Sequence, residues 1–356
     1  MDRKNDLEIQ DSAGPPLLRM SSLSVTYRTE KGAVKALEDV SFEIEKGLNF
    51  GLVGESGCGK TTLLKAVVGA LPPNAAVTGG RIVFEGRELT RLDDRQMRRI
   101  RWRRISMVTQ SAMNALDPVY KVGDQIIEAI QAHQQVDSAE AKQRVEQMFA
   151  LVGIDRGRFS EYPHQFSGGM RQRAIIAMSL ILEPGLVIAD EPTTSLDVIV
   201  QDQIFKNIRK LQDLLGFSML LVTHDIAVVI ENCADIGVMY GGKIMEAGRM
   251  KDVINQPFHP YTMGLKNAFP NIRDRRAELI SIPGVPPSLL GELRGCRFYS
   301  RCPFSTEICA AQTPPPVEVE PRHQAACHHM ANAEQMRQGA KRAETWLSKP
   351  PKEVLS

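Results

Sequence analysis

The sequence has no long hydrophobic run. None of its apolar stretches approaches the ~20 residues that a helix needs to cross a bilayer. Leu180-Ile181-Leu182 stops at Glu183-Pro184, and Leu186 to Ala189 stops at Asp190-Glu191. Charge of one sign is equally scarce. The formal net charge is +2 over 356 residues, so no strong field marks nucleic acid as a partner. No internal repeat is visible. Met1 to Gln10 is charged and lacks the apolar core of a signal peptide. Together these absences lead us to expect a chain that is soluble by itself, works in the cytoplasm, and reaches any membrane through partners.

What is there is an ordinary globular balance, 43% hydrophobic and 24% charged, in a length that suggests about two domains. One local basic cluster stands out: Arg98, Arg99, Arg101, Arg103 and Arg104. It reads either as a solvated helix face or as a patch for lipid head groups or an acidic partner. Residues 1–17 are polar, end near Gly14-Pro15-Pro16, and read as a loose leader. Short β-like stretches follow at Leu23 to Tyr27 and Val40 to Ile44. Phe50-Gly51-Leu52-Val53-Gly54 reads as a buried strand, Thr61 to Ala70 as a helix, and Arg81 to Glu85 as another strand. From about 120 the pattern turns helical, with Val122, Ile126, Ile127 and Ile130, then Val145, Met148 and Leu151, at helical spacing. Strands at Leu186 to Ala189 and Ser218 to Val222 flank a helix from Gln203 to Leu215. That order predicts an α/β core with parallel pairing and right-handed crossovers.

Three motifs carry chemistry. The first runs Gly54-Glu55-Ser56-Gly57-Cys58-Gly59-Lys60-Thr61-Thr62. Glycines let successive backbone N–H groups point at one phosphate, and the helix that follows adds the positive end of its dipole. Lys60 is expected to neutralise β- and γ-phosphate oxygens, and Thr61 to hold Mg²⁺ through its hydroxyl. A structural glycine turn would leave the lysine unexplained. The second motif is Leu186-Val187-Ile188-Ala189-Asp190-Glu191, a buried strand that ends on two carboxylates. Asp190 suits Mg²⁺ and Glu191 suits polarising a water; alone, the pair could equally be a solvated turn. The third is Phe166-Ser167-Gly168-Gly169-Met170-Arg171-Gln172-Arg173. Ser-Gly-Gly opening a helix is a second anion site, or simply a helix start with a serine cap.

On these residues the chain resembles the ATP-binding subunits of ABC transporters, over at least residues 18–270. Ser167 to Gln172 is similar to the ABC signature, with Met170 where glutamine is commonest. The resemblance implies further roles. Gln110 corresponds to the glutamine that links Mg²⁺ to the membrane subunits, and Ser195-Leu196-Asp197 to the loop that communicates across the dimer. His224 corresponds to the switch histidine at the γ-phosphate, and Tyr27 to the aromatic on which adenine stacks. For the last two the plain alternatives are a structural histidine and a packed strand residue. The implied fold is a P-loop NTPase (RecA-like) core with an antiparallel β subdomain. Residues 18–265 would form the nucleotide-binding domain, with a helical ABC-specific insertion at about 111–182, and 266–356 a small Cys-containing extension. The implied assembly is head to tail with a second ATPase subunit, identical or paralogous. Two integral membrane permease subunits and an extracytoplasmic solute-binding protein complete it, and nucleic acid has no part.

A narrower resemblance, to the dipeptide/oligopeptide importer branch, rests on His259-Pro260-Tyr261-Thr262, Pro283-Gly284 and Arg301-Cys302-Pro303. The stretch from Gln110 to Pro118 departs from the wording usual there, and the branch also carries sugar and nickel importers, so the cargo stays open. Cys296, Cys302, Cys309 and Cys327 crowd into the tail. In a reducing cytosol such a group favours metal over disulfides. It could hold a [4Fe–4S] cluster or Zn²⁺, or be an unmetallated tail, with His328 and His329 as substitute ligands. Branch members share this arrangement, and some are associated with an iron–sulfur cluster. A rival function class is a soluble ABC ATPase acting on nucleic acid or ribosomes. The short interval from Lys60 to Ser167 and the single set of motifs argue against it.

Overall fold

The structure, a computed structural model, describes residues 14–109, 115–193, 197–268 and 280–347. Along the chain come β1 (Leu18–Thr29), β2 (Gly32–Ile44), β3 (Asn49–Val53), α1 (Lys60–Val67), β4 (Ala75–Phe84) and β5 (Arg87–Glu88). Then follow α2 (Asp94–Arg98), β6 (Ile105–Val108), α3 (Val122–Gln131), α4 (Ser138–Leu151), α5 (Gly168–Leu180), β7 (Leu186–Asp190) and α6 (Val198–Leu215). Next are β8 (Ser218–Thr223), α7 (Ile226–Asn232), β9 (Asp235–Tyr240), β10 (Lys243–Arg249), α8 (Met250–Asn255) and α9 (Pro260–Asn267). The described C-terminal part holds α10 (Glu307–Ala311), β11 (Val317–Glu320), β12 (His323–Ala325), α11 (Ala333–Ala340) and α12 (Ala343–Leu347).

Two sheets organise these elements. A four-stranded antiparallel sheet runs β2-β1-β4-β5, and an eight-stranded sheet runs β11-β12-β10-β9-β3-β8-β7-β6. The five strands from β9 to β6 are parallel, as strand–helix–strand connections require. Their residues are apolar on both faces because both faces are covered. Leu186, Ile188, Leu220 and Val222 enter the core shared with the antiparallel sheet and α1. Their alternates Val187, Ala189, Met219 and Leu221 enter the core shared with the helices of 122–180.

The helical segment packs as its spacing predicts at Val122, Ile126, Ile130, Val145 and Met148. Leu151 departs from that pattern: it is 44% exposed, and Phe149 and Val152 are buried in its place. The helix expected to reach Ala70 stops at Val67, because Gly69 takes a left-handed φ of +61°. The described C-terminal end carries two short helices, α11 and α12. Buried Trp346 folds back so that its Nε1–H donates to Ala340 O at 3.0 Å. The basic cluster divides. Arg101 donates to Val68 O, Gly69 O and Asp94, Arg98 pairs with Asp94, and Arg104 pairs with Glu85. Among the described residues β11 and β12 extend the main sheet beyond β10. Buried His323 there bonds buried Glu246 at 2.8 Å.

Candidate functional site

Three neighbouring parallel strands deliver the first two motifs to one edge of the sheet. β3 lies beside β8 with Val53 opposite Thr223, and β8 beside β7 with Val222 opposite Asp190. The segment after β3, His224 after β8, and Asp190-Glu191 at the end of β7 therefore meet outside the carboxyl ends of the strands. In open α/β sheets that is where ligands bind.

The 54–59 loop is built to turn sharply. Gly57 and Gly59 hold φ of +80° and +109°, and Gly59 is the N-cap of α1. A Cβ on Gly54 would collide with Met239 O, so the strand can leave β9's side only as glycine. Lys60 is buried and closes the loop on itself. Its Nζ donates to Gly54 O at 2.6 Å and to Glu55 O at 3.0 Å, and lies 3.6 Å from Cys58 Sγ. Cys58 is buried, and burial pushes its thiol up, so it acts as a small apolar filler here. Ser56 and Gly57 are exposed at the tip; Thr61 is exposed on the first turn of α1. The next residue, Thr62, shares a hydrogen bond of 3.2 Å with the Tyr27 hydroxyl, which brings the expected adenine platform to the same helix.

Glu191 sits at a left-handed φ of 47°, uncommon for a non-glycine residue, and its N–H donates to Val222 O at 2.8 Å. Its Oε1 lies 2.9 Å from His224 Nδ1. The carboxylate side chain is 15% exposed and the imidazole 61%. Burial pushes the Asp190 carboxyl above the usual carboxylate range; Glu191 pushes the same way, and Lys60 and Lys65 pull it back. With its pKa raised in the folded state, Asp190 keeps its proton longer there than in the unfolded chain. Stability therefore falls as pH rises from the ordinary carboxylate range through the raised pKa of the folded state. Asp190→Asn should accordingly melt higher than the parent in nucleotide-free buffer at pH 7. A lower melting temperature would show that the carboxylate is stabilising as it stands.

The third motif lies elsewhere. Among the described residues no hydrogen bond joins Ser167–Met170 to 54–62. Ser167 Oγ is the N-cap of α5 and accepts from Met170 N at 3.3 Å, and Gly169 approaches Val200 on α6. Gly168 and Met170 are half-buried in the same first turn. Asp197 is likewise an N-cap, of α6, accepting from Val200 N at 2.9 Å. Gln110 and the Ser195-Leu196 pair lie outside the described residues.

The four tail cysteines are free thiols. Burial, and then the neighbouring thiols, push Cys296 up to about 12 and Cys302 well above the usual thiol range; burial likewise pushes Cys327 up to about 11. Cys309 Sγ lies 3.5 Å from His329 Nε2, and His329 N donates to Cys327 Sγ at 3.4 Å. The segment thus gathers its thiols. Yet among the described residues no group of three or more His, Cys, Asp or Glu is arranged to hold a metal ion. The expected iron–sulfur or zinc ligand set is therefore not assembled among these residues, and Cys296, Cys302 and Cys327 pack against the apolar core instead.

One contact had no motif to announce it. Arg301, from the tail, reaches the phosphate loop and donates from Nη1 to Glu55 Oε2 at 2.7 Å. Its position between cysteines was visible in the sequence, but its destination was not.

The description "ABC transporter" matches residues 37–194, and "Oligopeptide/dipeptide transporter, C-terminal region" matches residues 245–309. A probable peptide ABC transporter ATP-binding protein of Sinorhizobium fredii is 45% identical over 87% of this chain and 94% of its own length. The chain belongs to the ATP-binding subunits of ABC transporters. A dipeptide transport ATP-binding protein of Bacillus subtilis, 47% identical, is matched over 82% of this subunit and 88% of its own length. Among solved structures, the ATP-binding cassette MJ0796, a dimer in a post-hydrolysis state bound to ADP and Pi, aligns with TM-score 0.58 and 25% identity. It covers 65% of the subunit and 98% of the cassette. The cassette cbiO1 from Clostridium perfringens, part of an ABC transporter complex, aligns with TM-score 0.60 and 26% identity, over 68% and 92%. Among the described residues no helix of this ABC subunit is long and apolar enough to cross a membrane.

Proposed function

We propose that this subunit hydrolyses ATP to drive uptake of di- or oligopeptides, at the cytoplasmic face of a membrane, through two integral permease subunits served by an extracytoplasmic binding protein. One observation carries the reading: the strand-end site lies in the same chain as a tail of the oligopeptide/dipeptide type. Residues 54–62 would wrap the phosphates and Tyr27 would stack on adenine. Asp190 and Thr61, with Gln110, would hold Mg²⁺. A carboxylate raised by burial and by the neighbouring Glu191 is a donor that a hard divalent cation fits, and the ion would neutralise charge on the phosphates. Glu191 would orient the attacking water while His224, bonded to it, reads the γ-phosphate. Ser167–Met170 and Asp197 would face the nucleotide held by a second ATPase subunit, which suits their separation from the loop of their own chain. Residues 18–265 would be the nucleotide-binding domain and 266–356 the tail that marks the branch.

Uptake of labelled di- and oligopeptides by cells with and without this subunit tests the cargo. Peptide uptake should disappear without it and return with the intact chain but not with Glu191→Gln. Retained peptide uptake with loss of sugar or nickel uptake would move the subunit to another cargo; co-purification with ribosomes or DNA and no membrane protein would reject the importer. The gathering of Cys296, Cys302, Cys309 and Cys327 favours a second, smaller reading: metal binds there after rearrangement of the thiols. Iron content and visible absorbance of the anaerobically purified complex decide it, and colourless, iron-free protein ends it.

A further inference from the structure

Glu55 is tied through both its backbone and its side chain. Its N–H donates to the Tyr261 hydroxyl at 3.1 Å, its carbonyl accepts from Lys60 Nζ at 3.0 Å, and its carboxylate accepts from Arg301 at 2.7 Å. Two of these three anchors lie outside the strand–loop–helix unit. Tyr261 belongs to α9, and Arg301 stands on the short turn before Cys302.

Arg301 is itself held rigidly. Its side chain is 4% exposed. Nε donates to Pro283 O at 2.8 Å, Nη2 to Ile282 O at 3.0 Å, and Nη1 also to the Tyr240 hydroxyl at 3.2 Å. The guanidinium carbon stands 5.6 Å from the centre of the Tyr240 ring. This planar fork is satisfied on several sides at once, which an ammonium could not match. The remaining direction is toward the loop. A buried, fully aligned guanidinium is a fixed point, and a loop bonded to it through Glu55 inherits its position.

We propose that Arg301 is a positioning residue for the phosphate loop: the tail grips Glu55 and so holds residues 54–59 in the shape that receives a triphosphate. Two physical effects act together. The grip restrains a loop whose tip, Ser56 and Gly57, is exposed, so less ordering is left to be done on binding. It also keeps the Glu55 carboxylate paired and turned toward the tail, away from incoming phosphate charge. The nucleotide affinity of the core thereby depends on the docking of the tail. Arg301 touches no reacting atom in this scheme; it acts through Glu55.

The inference rests on the reading of 54–62 as the ATP loop, and the experiment separates the two. In the assembled complex, ATPase KM and kcat are measured for Arg301→Met, Glu55→Ala and the double variant, beside Lys60→Ala. Arg301→Met keeps the apolar stem and loses the fork. Its KM for ATP should rise about tenfold, the weight of one charge-assisted hydrogen bond. Its kcat at saturating ATP should stay within about twofold, because only binding is affected. Glu55→Ala should raise KM by a similar factor, and the double variant by no more than the larger single change, since both remove one contact. A tail that merely packs would give no such split and no such coupling. Unchanged KM in Arg301→Met, or a double effect equal to the product of the singles, overturns the proposal. Should Arg301→Met fail to fold, Glu55→Ala decides alone, and an unchanged or lower KM overturns it. If Lys60→Ala binds ATP like the parent, the loop assignment itself has failed; if Lys60→Ala loses ATP and Arg301→Met does not, only the grip has.

Discussion

Glu191→Gln should bind ATP as the parent does and hydrolyse it about 10²–10⁴-fold more slowly, the usual weight of general-base assistance. The geometry makes this a clean substitution. Glu191 is held by backbone, through its N–H to Val222 O at 2.8 Å, and by side chain, at 2.9 Å from His224 Nδ1. Glutamine has the same shape and keeps a hydrogen-bonding partner for the imidazole. What it loses is the negative oxygen that draws a proton from water. On the proposed reading binding would draw on Lys60 and the 54–62 backbone, which the change does not touch. Two ATP-loaded subunits should therefore accumulate as a closed pair, visible as a dimer by size exclusion in MgATP and as retained unhydrolysed nucleotide. Near-normal turnover of Glu191→Gln in the assembled complex would remove Glu191 from the role.

How much of this was readable beforehand follows from how local each signal is. The phosphate loop is encoded by consecutive residues: glycines for positive φ at 57 and 59, and a lysine to close the turn. The strand ends were legible for the same reason, since Leu186 to Ala189 is uniformly apolar and stops at two carboxylates. That His224 would touch Glu191 needed register, which the pairing of β7 with β8 supplies. Contacts made by folding alone were out of reach. Glu55 and Arg301 are 246 residues apart and share no pattern. Leu151 fits the helical period as well as Phe149 does; only the packed neighbour chooses between them. The four cysteines announced that they would gather, but spacing says nothing of the burial that pushes the thiols of Cys296, Cys302 and Cys327 up. The serine of 167 shows the reverse case. It caps a helix, as the plain reading required, and that same cap leaves it exposed at the start of α5, where another subunit could meet it.

Lys60→Ala should fail earlier, at binding, with MgATP affinity lower by about a hundredfold or more, the weight of at least two charge-assisted hydrogen bonds. Isothermal titration of the full chain measures it. In the structure two of the three ammonium protons are committed to Gly54 O and Glu55 O. A triphosphate must draw that ammonium partly away from the carbonyls, and it can do so because phosphate oxygens carry full charge. Alanine leaves nothing to exchange. It also leaves Gly54 O, at a buried position, without its donor, so the loop should loosen and the melting temperature fall even without nucleotide. Lys60→Arg should not rescue binding. The lysine is only 8% exposed and lies against Cys58, so a longer planar guanidinium should crowd that sulfur and Gly54 O. Glu191→Gln and Lys60→Ala thus divide the site, the one stopping hydrolysis with nucleotide in place and the other keeping nucleotide out. ATP affinity in Lys60→Ala equal to that of the parent would mean that residues 54–62 do not hold phosphate, and the functional reading built on them would go with it.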